Sequence, residues 1–429
     1  MMQLLRSSQR GFASKLEVLS RRFALVDKGV DRSVAPILEA VRRGGDAAVI
    51  RFAKRFDKAK LSVKNLRVNE KEVEEAYRQA DPAVVESLRY AAERITAFHQ
   101  KQHSGSWSFT SGGITLGLQV RPLDRVGIYV PGGTAAYPSS VLMNALPARI
   151  AGVRQIVMCT PVRDGAVNPY LLVAADLAGV KEIYKVGGAH AIGALAYGTK
   201  TIPRVDKIVG PGNRYVAAAK QLVYGTVDID MVAGPSEVLV IADQTANPAF
   251  IAADLLAQAE HDQEAWLFLI TPLRDVIRKT QRELKQQLKT LSRRAIAAAA
   301  IKRHGVAILV KDLEEAAVVA NAIAPEHLGL AVKKPFELVP RLNHVGAVFL
   351  GHFTPEAVGD YIAGPNHVLP TGGTARFFSP LSVDDFVKRT NLIGYSQEEL
   401  IRARDHIVRI AGVEGLDAHA RAVEVRLRG

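Results

Sequence analysis

The sequence predicts an α/β protein: two Rossmann-like α/β units with parallel-rich sheets, plus small helical segments at the N- and C-termini. Three observations carry this. From about residue 120, short apolar runs alternate with helical stretches, and glycine turns close several of the runs. The alternation ends at Gly210-Pro211-Gly212-Asn213 and restarts at Glu237, which makes two units rather than one. The chain has 429 residues, more than one hydrophobic core usually serves.

The elements follow in order. The first residues, MMQLLRSSQRGFASK, are basic and carry Ser, a faint transit-peptide trait without the apolar core of a secretory signal. An amphipathic first helix is the simpler reading of them. Segments 34–56 and 70–100 carry apolar residues at helical spacing, so the part before residue 120 reads as mostly helical. Strands are predicted at 125–130, closed by Pro131-Gly132-Gly133, and at 155–160, 182–186 and 207–209. Helices are predicted at 139–151, at 169–177 and after Gly187-Gly188. The second unit has strands at 237–242, 266–270, 306–310, 328–332 and 347–350, with helices at 247–260 and 273–303. The tail, 397–429, reads as two helices broken near Gly412; too small to own a core, it must dock on something, such as a partner subunit.

Composition narrows the function classes. With 48% hydrophobic and 23% charged residues the chain is ordinary for a soluble globular protein, and no stretch approaches the ~20 apolar residues that span a bilayer. The net charge is +13, but the basic residues are dispersed in short doublets such as Arg21-Arg22, Arg42-Arg43 and Lys333-Lys334, with no aromatic interleaving. A solvated basic surface explains that count, and no nucleic-acid partner is expected. The single cysteine, Cys159, excludes an internal disulfide; it sits in the apolar run Ile156-Val157-Met158 and reads as a buried small hydrophobe in a reducing compartment, the cytoplasm.

In open α/β sheets ligands bind beyond the carboxyl ends of the strands. Tyr129 precedes one glycine turn, Gly187-Gly188-Ala189-His190 forms another, and Gly210-Pro211-Gly212-Asn213 a third. No strict G-x-G-x-x-G is present, so the turns alone specify only a ligand crevice. Gln258-x-x-His261 puts two side chains on one helix face. The histidine is a zinc-type ligand, yet Glu260 next door is a commoner ligand than glutamine. Glu326-His327 stands between a helix and a strand. Adjacent carboxylate and imidazole suit two proton transfers of different pKa, and a helix-ending turn with exposed polar residues accounts for them equally. The run from Gly359 to His367 combines Asp360 and His367 with two glycines, a fair source of metal ligands. Glu414 and His419 look like a solvated helix face, and the other histidines read as surface or packing residues.

Taken together, AGPSEVLVIAD (233–243), LLAQAEH (255–261), PEHL (325–328), GDYIAGPNHVLPTGGT (359–374) and EGLDAHA (414–420) resemble the histidinol dehydrogenase family over nearly the whole chain. VRRGGDAAVIRFAKRFD (41–57), 129–140 and 187–199 fit it too. The resemblance implies oxidation of L-histidinol to L-histidine through histidinal, with two NAD reduced. It implies zinc ligands at Gln258, His261, Asp360 and His419, with zinc positioning the substrate, and His327 and Glu326 as the two bases. It implies further substrate contacts at Ser236, His367 and Glu414, and NAD contacts at Tyr129, His190 and Asn213. Many members carry Gln where this chain has His190. The family is dimeric, so Glu414 and His419 would serve the other subunit. The implied organisation is an N-terminal helical segment (1–24), a main α/β domain carrying the catalytic and metal residues (25–128 with 236–378), an NAD-binding Rossmann-like domain (129–235) and a C-terminal helical segment docking on the partner (379–429). The rivals are a relative acting on another small alcohol such as a sulfonated diol, a zinc hydrolase using Glu326, and a non-catalytic nucleotide-binding module.

Overall fold

The computed structural model describes residues 1–22, 28–132, 136–162 and 165–428. Gly133 of the predicted turn and the predicted boundary between residues 24 and 25 lie outside them. The chain opens with a strand, β1 (Gln3–Arg6), where a helix was the alternative to a leader. Leu5 is buried against the large sheet described below, and a helix begins only after Gly11 (φ 80), as α1 (Phe12–Ser20).

α2 (Lys28–Phe52) bends at Gly45 and runs into a π-turn, Ala53–Asp57. The single helix predicted at 70–100 is two, α3 (Glu70–Gln79) and α4 (Pro82–His99). Pro82 offers no N–H to the preceding turn, and the Asp81 side chain accepts from Ala83 N, so the chain restarts there. The region before residue 120 also contains an unpredicted hairpin, β2 (Trp107–Ser111) and β3 (Ile114–Pro122), joined by Gly112-Gly113 at φ 56 and 82.

β4 (Arg125–Tyr129), α5 (Pro138–Ala151), β5 (Gln155–Cys159), α6 (Pro169–Leu177), β6 (Glu182–Tyr184), α7 (Gly188–Tyr197), β7 (Lys207–Val209), α8 (Arg214–Val223) and β8 (Asp228–Ile229) form one unit. Its sheet is wholly parallel, in the order β6-β5-β4-β7-β8, so the winding reverses between β4 and β7. β4 crosses the predicted boundary at 128/129, and α2 and α4 pack on this sheet, with Val368 joining the core on the α4 side. Leu88, Ala91 and Ile95 of α4 join the core of α5 and α6 on one face. Val34, Leu38 and Val41 of α2 join Ile192 and Leu195 of α7 on the other.

The second unit comprises β9 (Glu237–Ala242), α9 (Pro248–Ala259), β10 (Trp266–Thr271), α10 (Arg274–Gln287), α11 (Arg294–His304), β11 (Gly305–Leu309), α12 (Leu313–Ile323), β12 (His327–Ala331), α13 (Pro335–Leu338), β13 (Ala347–Leu350) and α14 (Glu356–Tyr361). The predicted helix at 273–303 is broken near Leu291; Thr290 Oγ1 bonds back to Gln287 O at 3.0 Å and helps end the first piece. The sheet is parallel throughout, in the order β1-β11-β10-β9-β12-β13. A nine-residue strand in the tail region expected to be helical, β14 (Val387–Tyr395), pairs antiparallel with β3. α15 (Gln397–Val413) and α16 (Asp417–Glu424) follow, broken at Gly415 (φ 68). Among the described residues no helix is long and apolar enough to cross a membrane.

Candidate active site

β12 lies beside β9 with His327 opposite Val238, which brings the amino ends of the two strands together. One peptide there orients both members of the Glu-His pair. Glu237 N–H donates to Glu326 Oε2 at 2.8 Å, and Glu237 C=O accepts from His327 Nδ1 at 3.0 Å. The second bond uses the Nδ1 proton, so the neutral ring carries its lone pair on Nε2. That nitrogen is buried, has no hydrogen-bond partner among the described residues, and lies 3.8 Å from Asp360 Oδ1.

The Glu237 carboxylate is itself buried, held by Arg22 Nε at 2.5 Å and Gly372 N–H at 3.0 Å. Arg22 also donates to Ile323 O at 2.8 Å, tying the end of α12 to the start of β9. Burial is the main cause that pushes Glu326 well above the usual carboxylate range, with the Glu237 and Asp360 charges adding to it. Burial drives His327 the other way, down to about 4. Two adjacent groups are thus pushed apart, as an acid/base pair requires.

This cluster sits at the amino ends of its strands, not at the carboxyl ends where ligands were expected. The reason is the neighbouring unit. Asn366 Nδ2 donates to Met143 O at 2.6 Å, and Ser140 Oγ lies 3.3 Å from His367 Nε2, so α5 walls the space beyond these amino ends. His367 Nδ1 bonds Asp360 O at 3.0 Å, and Ser236 is half-buried at the foot of β9. Gln258, near the end of α9, is buried against Glu356, the first residue of α14. Asp360 lies one turn beyond Glu356 and is raised to about 6 by burial. His261 follows the end of α9, exposed, yet near enough for its charge to act on His327 and His367.

Tyr129 and His190 meet at the carboxyl edge of the other sheet. Tyr129 Oη accepts from Gly188 N at 3.0 Å, and burial raises its pKa far above the phenol range. His190 is buried against Phe52 and Phe56, with Nε2 3.7 Å from Asp57 Oδ2. Asn213 is exposed and caps α8, its Oδ1 accepting from Tyr215 N at 3.0 Å and Val216 N at 3.2 Å. A Cβ on Gly210 (φ 110) would stand 2.2 Å from Tyr129 O, so only glycine lets these two turns meet at the β4–β7 reversal.

A family model described as histidinol dehydrogenase matches residues 20–427. The chain belongs to the histidinol dehydrogenase family. Histidinol dehydrogenase of Syntrophotalea carbinolica is 53% identical over 429 residues, covering 100% of both chains. That of Heliobacterium mobile is 55% identical over 405 residues, covering 94% of this chain and 95% of the other. The crystal structure of histidinol dehydrogenase from Elizabethkingia anophelis superposes with a TM-score of 0.94 at 39% identity, covering 100% of this chain and 98% of the other.

Histidinol dehydrogenase membership implies zinc, and the donors present fit it. Ligand atoms of His327, Glu356 and Asp360 lie within 4.8 Å of one another, beside the Gln258 amide; of these, Asp360 and Gln258 are the predicted zinc ligands and His327 the predicted base. Buried carboxylates packed this closely repel one another unless a cation joins them, and a mixed N/O set suits a borderline ion. Of the four predicted ligands, one chain brings Gln258, His261 and Asp360 to this region. His419 does not join them: with Glu414 it is exposed on the tail helices, without a side-chain hydrogen bond or ion pair among the described residues. Sequence reading missed Arg22, Asp57 and Glu356. Only Glu356 left a local signal, since carboxylates at 356 and 360 on one short helix repel unless something between them is positive.

Proposed function

We propose that the chain oxidises L-histidinol to L-histidine through histidinal, reducing two NAD per turnover, in the cytoplasm. Gln258, His261 and Asp360 would hold zinc together with His419 from a second copy of the chain. When bound, zinc fixes the amino and imidazole nitrogens of the substrate, and NAD accepts the hydride. Ser236, His367 and Glu414 are the further substrate contacts in this reading. Tyr129, His190 and Asn213 are the cofactor contacts.

The observation that carries the reading is the bare, buried Nε2 of His327, fixed as a lone pair by the Nδ1 bond to Glu237. Such a nitrogen takes the carbinol hydroxyl proton as hydride leaves the same carbon, giving the aldehyde. The second oxidation needs a new oxygen. Glu326 takes a proton from water as the oxygen adds to the aldehyde carbon and the C=O π pair moves onto the carbonyl oxygen; the resulting hydrate anion passes the second hydride to NAD and becomes the acid. A carboxylate pushed upward in pKa is a stronger base for that step once ionised. The Glu237 N–H and the Arg22 charge favour the ionised form.

The test is NADH formation from purified protein and L-histidinol, with chelation and zinc re-addition. Two NADH per histidinol, lost on chelation and restored by zinc, is the expected result. A zinc-loaded protein that forms no NADH from histidinol would sink the reading and turn attention to other small alcohols. In the same assay His327→Asn nearly abolishes the first oxidation, whereas Glu326→Gln slows hydration of histidinal more than hydride transfer from histidinol. Single-turnover kinetics check this; equal losses in both steps for the Glu326 variant would refute the division of roles.

A further inference from the structure

Glutamine is an unusual choice for a metal ligand, and the packing around Gln258 suggests what makes it serviceable. Its amide has two ends of nearly the same shape, an oxygen that binds a cation and an NH2 that does not. Steric fit cannot choose between them; hydrogen bonding can. Gln258 is 1% exposed and Glu356 5%, so water is not available to decide. One end of the Gln258 amide lies against both Glu356 carboxylate oxygens, 3.2 Å from Oε2, and hydrogen bonding to an ionised carboxylate assigns the NH2 to that end. Among the described residues the amide has no other hydrogen-bond partner. Glu356 is fixed in turn by the packing of α14 on α9, and Oε1 lies 3.4 Å from His327 Nδ1.

We propose that Glu356 is a positioning residue: its carboxylate engages the NH2 of Gln258 and so turns the amide oxygen toward the metal. This rests on the zinc reading given above. A carboxylate offers only acceptors to the amide when ionised, which makes it a one-way latch. An amide or alcohol in the same place would accept the NH2 or donate to the oxygen with similar ease. Partners of this kind, behind a ligand, commonly set metal affinity by 10–100-fold. The same arrangement explains why a third carboxylate is buried beside Asp360 and Glu326, where it adds to the local repulsion.

The experiment is a double-mutant cycle on the full-length protein, with E356Q, Q258E and Q258E/E356Q. Zinc affinity is read by competition with a chromophoric chelator, and geometry by the visible spectrum of the cobalt-substituted protein. Circular dichroism and thermal unfolding establish that each variant is folded. E356Q is expected to weaken zinc binding about 10-fold or more and to change the cobalt spectrum. Q258E sets two carboxylates against each other in a buried contact and weakens it too. The double variant restores a donor facing an acceptor, with the oxygen ligand at position 258, and is expected to bind zinc at least about 10-fold more tightly than E356Q. Wild-type affinity in E356Q would overturn the proposal. So would a double variant no better than E356Q, the result expected if Glu356 were itself a ligand. Failure of the wild-type protein to bind zinc would instead overturn the zinc reading on which the proposal stands.

Discussion

His190 and His327 are both buried, and burial depresses both to about 4, yet only His327 has a hydrogen bond that fixes its tautomer. Among the described residues the one carboxylate beside His190 is Asp57, at 3.7 Å, and that carboxyl is itself raised to about 6 by burial, so below that pH it gives little support to a charged ring. The folded His190 therefore stays neutral through a range where the unfolded chain, titrating near 6.5, takes up a proton. Stability from this residue is complete above pH 6.5 and falls as the pH drops toward 4. His190→Gln removes the titration, so its stability relative to the parent should improve by about 2 kcal/mol between pH 7.5 and pH 5. Urea unfolding at the two pH values measures it, and a difference independent of pH would contradict it. At this scale the sequence made His327, Asp360 and Gln258 visible because polar residues stand out in apolar or glycine-rich runs. Arg22 was invisible, since one residue of a basic doublet says nothing of a carboxylate more than 200 positions away. Glu356 left only its i, i+4 pairing with Asp360, and taken alone it resembles any acid in the first turn of a helix.

Between β9 and β12 a single peptide unit sets the geometry of two bases, and Arg22 holds that peptide's side chain. Arg22→Met leaves the Glu237 carboxylate buried without its cation, a change that costs about 3–5 kcal/mol in comparable pairs. A matching drop in urea-unfolding stability is expected. In the folded fraction both oxidations should slow together, because Glu326 and His327 lean on the same residue; a loss confined to one step would argue against this coupling. The elements themselves were legible where period and punctuation agreed. The strands at 207–209, 237–242 and 347–350 and the helix at 169–177 fall where their apolar runs and flanking turns placed them. The β2–β3–β14 sheet was not read. Its strands lie mostly at the surface, so no apolar alternation marks them, and the Gly112-Gly113 turn was their one strong signal. The helix at 70–100 was read through Asp81-Pro82, a cap and a stop that outweigh periodicity.

The tail and the small sheet beside it leave large apolar side chains exposed. Trp107, Phe109, Ile393, Ile401, Ile410 and Val413 are exposed on β2, β14 and α15, and Glu414 and His419 stand beyond them away from the buried cluster. A second copy covering this surface and lending His419 accounts for both facts. Co-expressed His261→Ala and His419→Ala chains, each inactive alone, should then regain part of the activity as mixed dimers, because one of the two sites is assembled from intact contributors. No recovery in verified heterodimers would argue against shared sites. Sequence period could suggest that the tail needs a surface to dock on, but not which one, because an apolar stripe on a helix does not name its partner. The edge of the large sheet carries a different implication. β1 pairs with β11 in the register Gln3↔Val306, so this edge strand depends on a partner made about 300 residues after it. At roughly 5–20 residues per second that is about 15–60 s of synthesis with Leu5 uncovered. This edge of the six-stranded sheet closes only once β11 has been made, while the other edge waits for β12 and β13, so the pace of translation sets when both edges are covered.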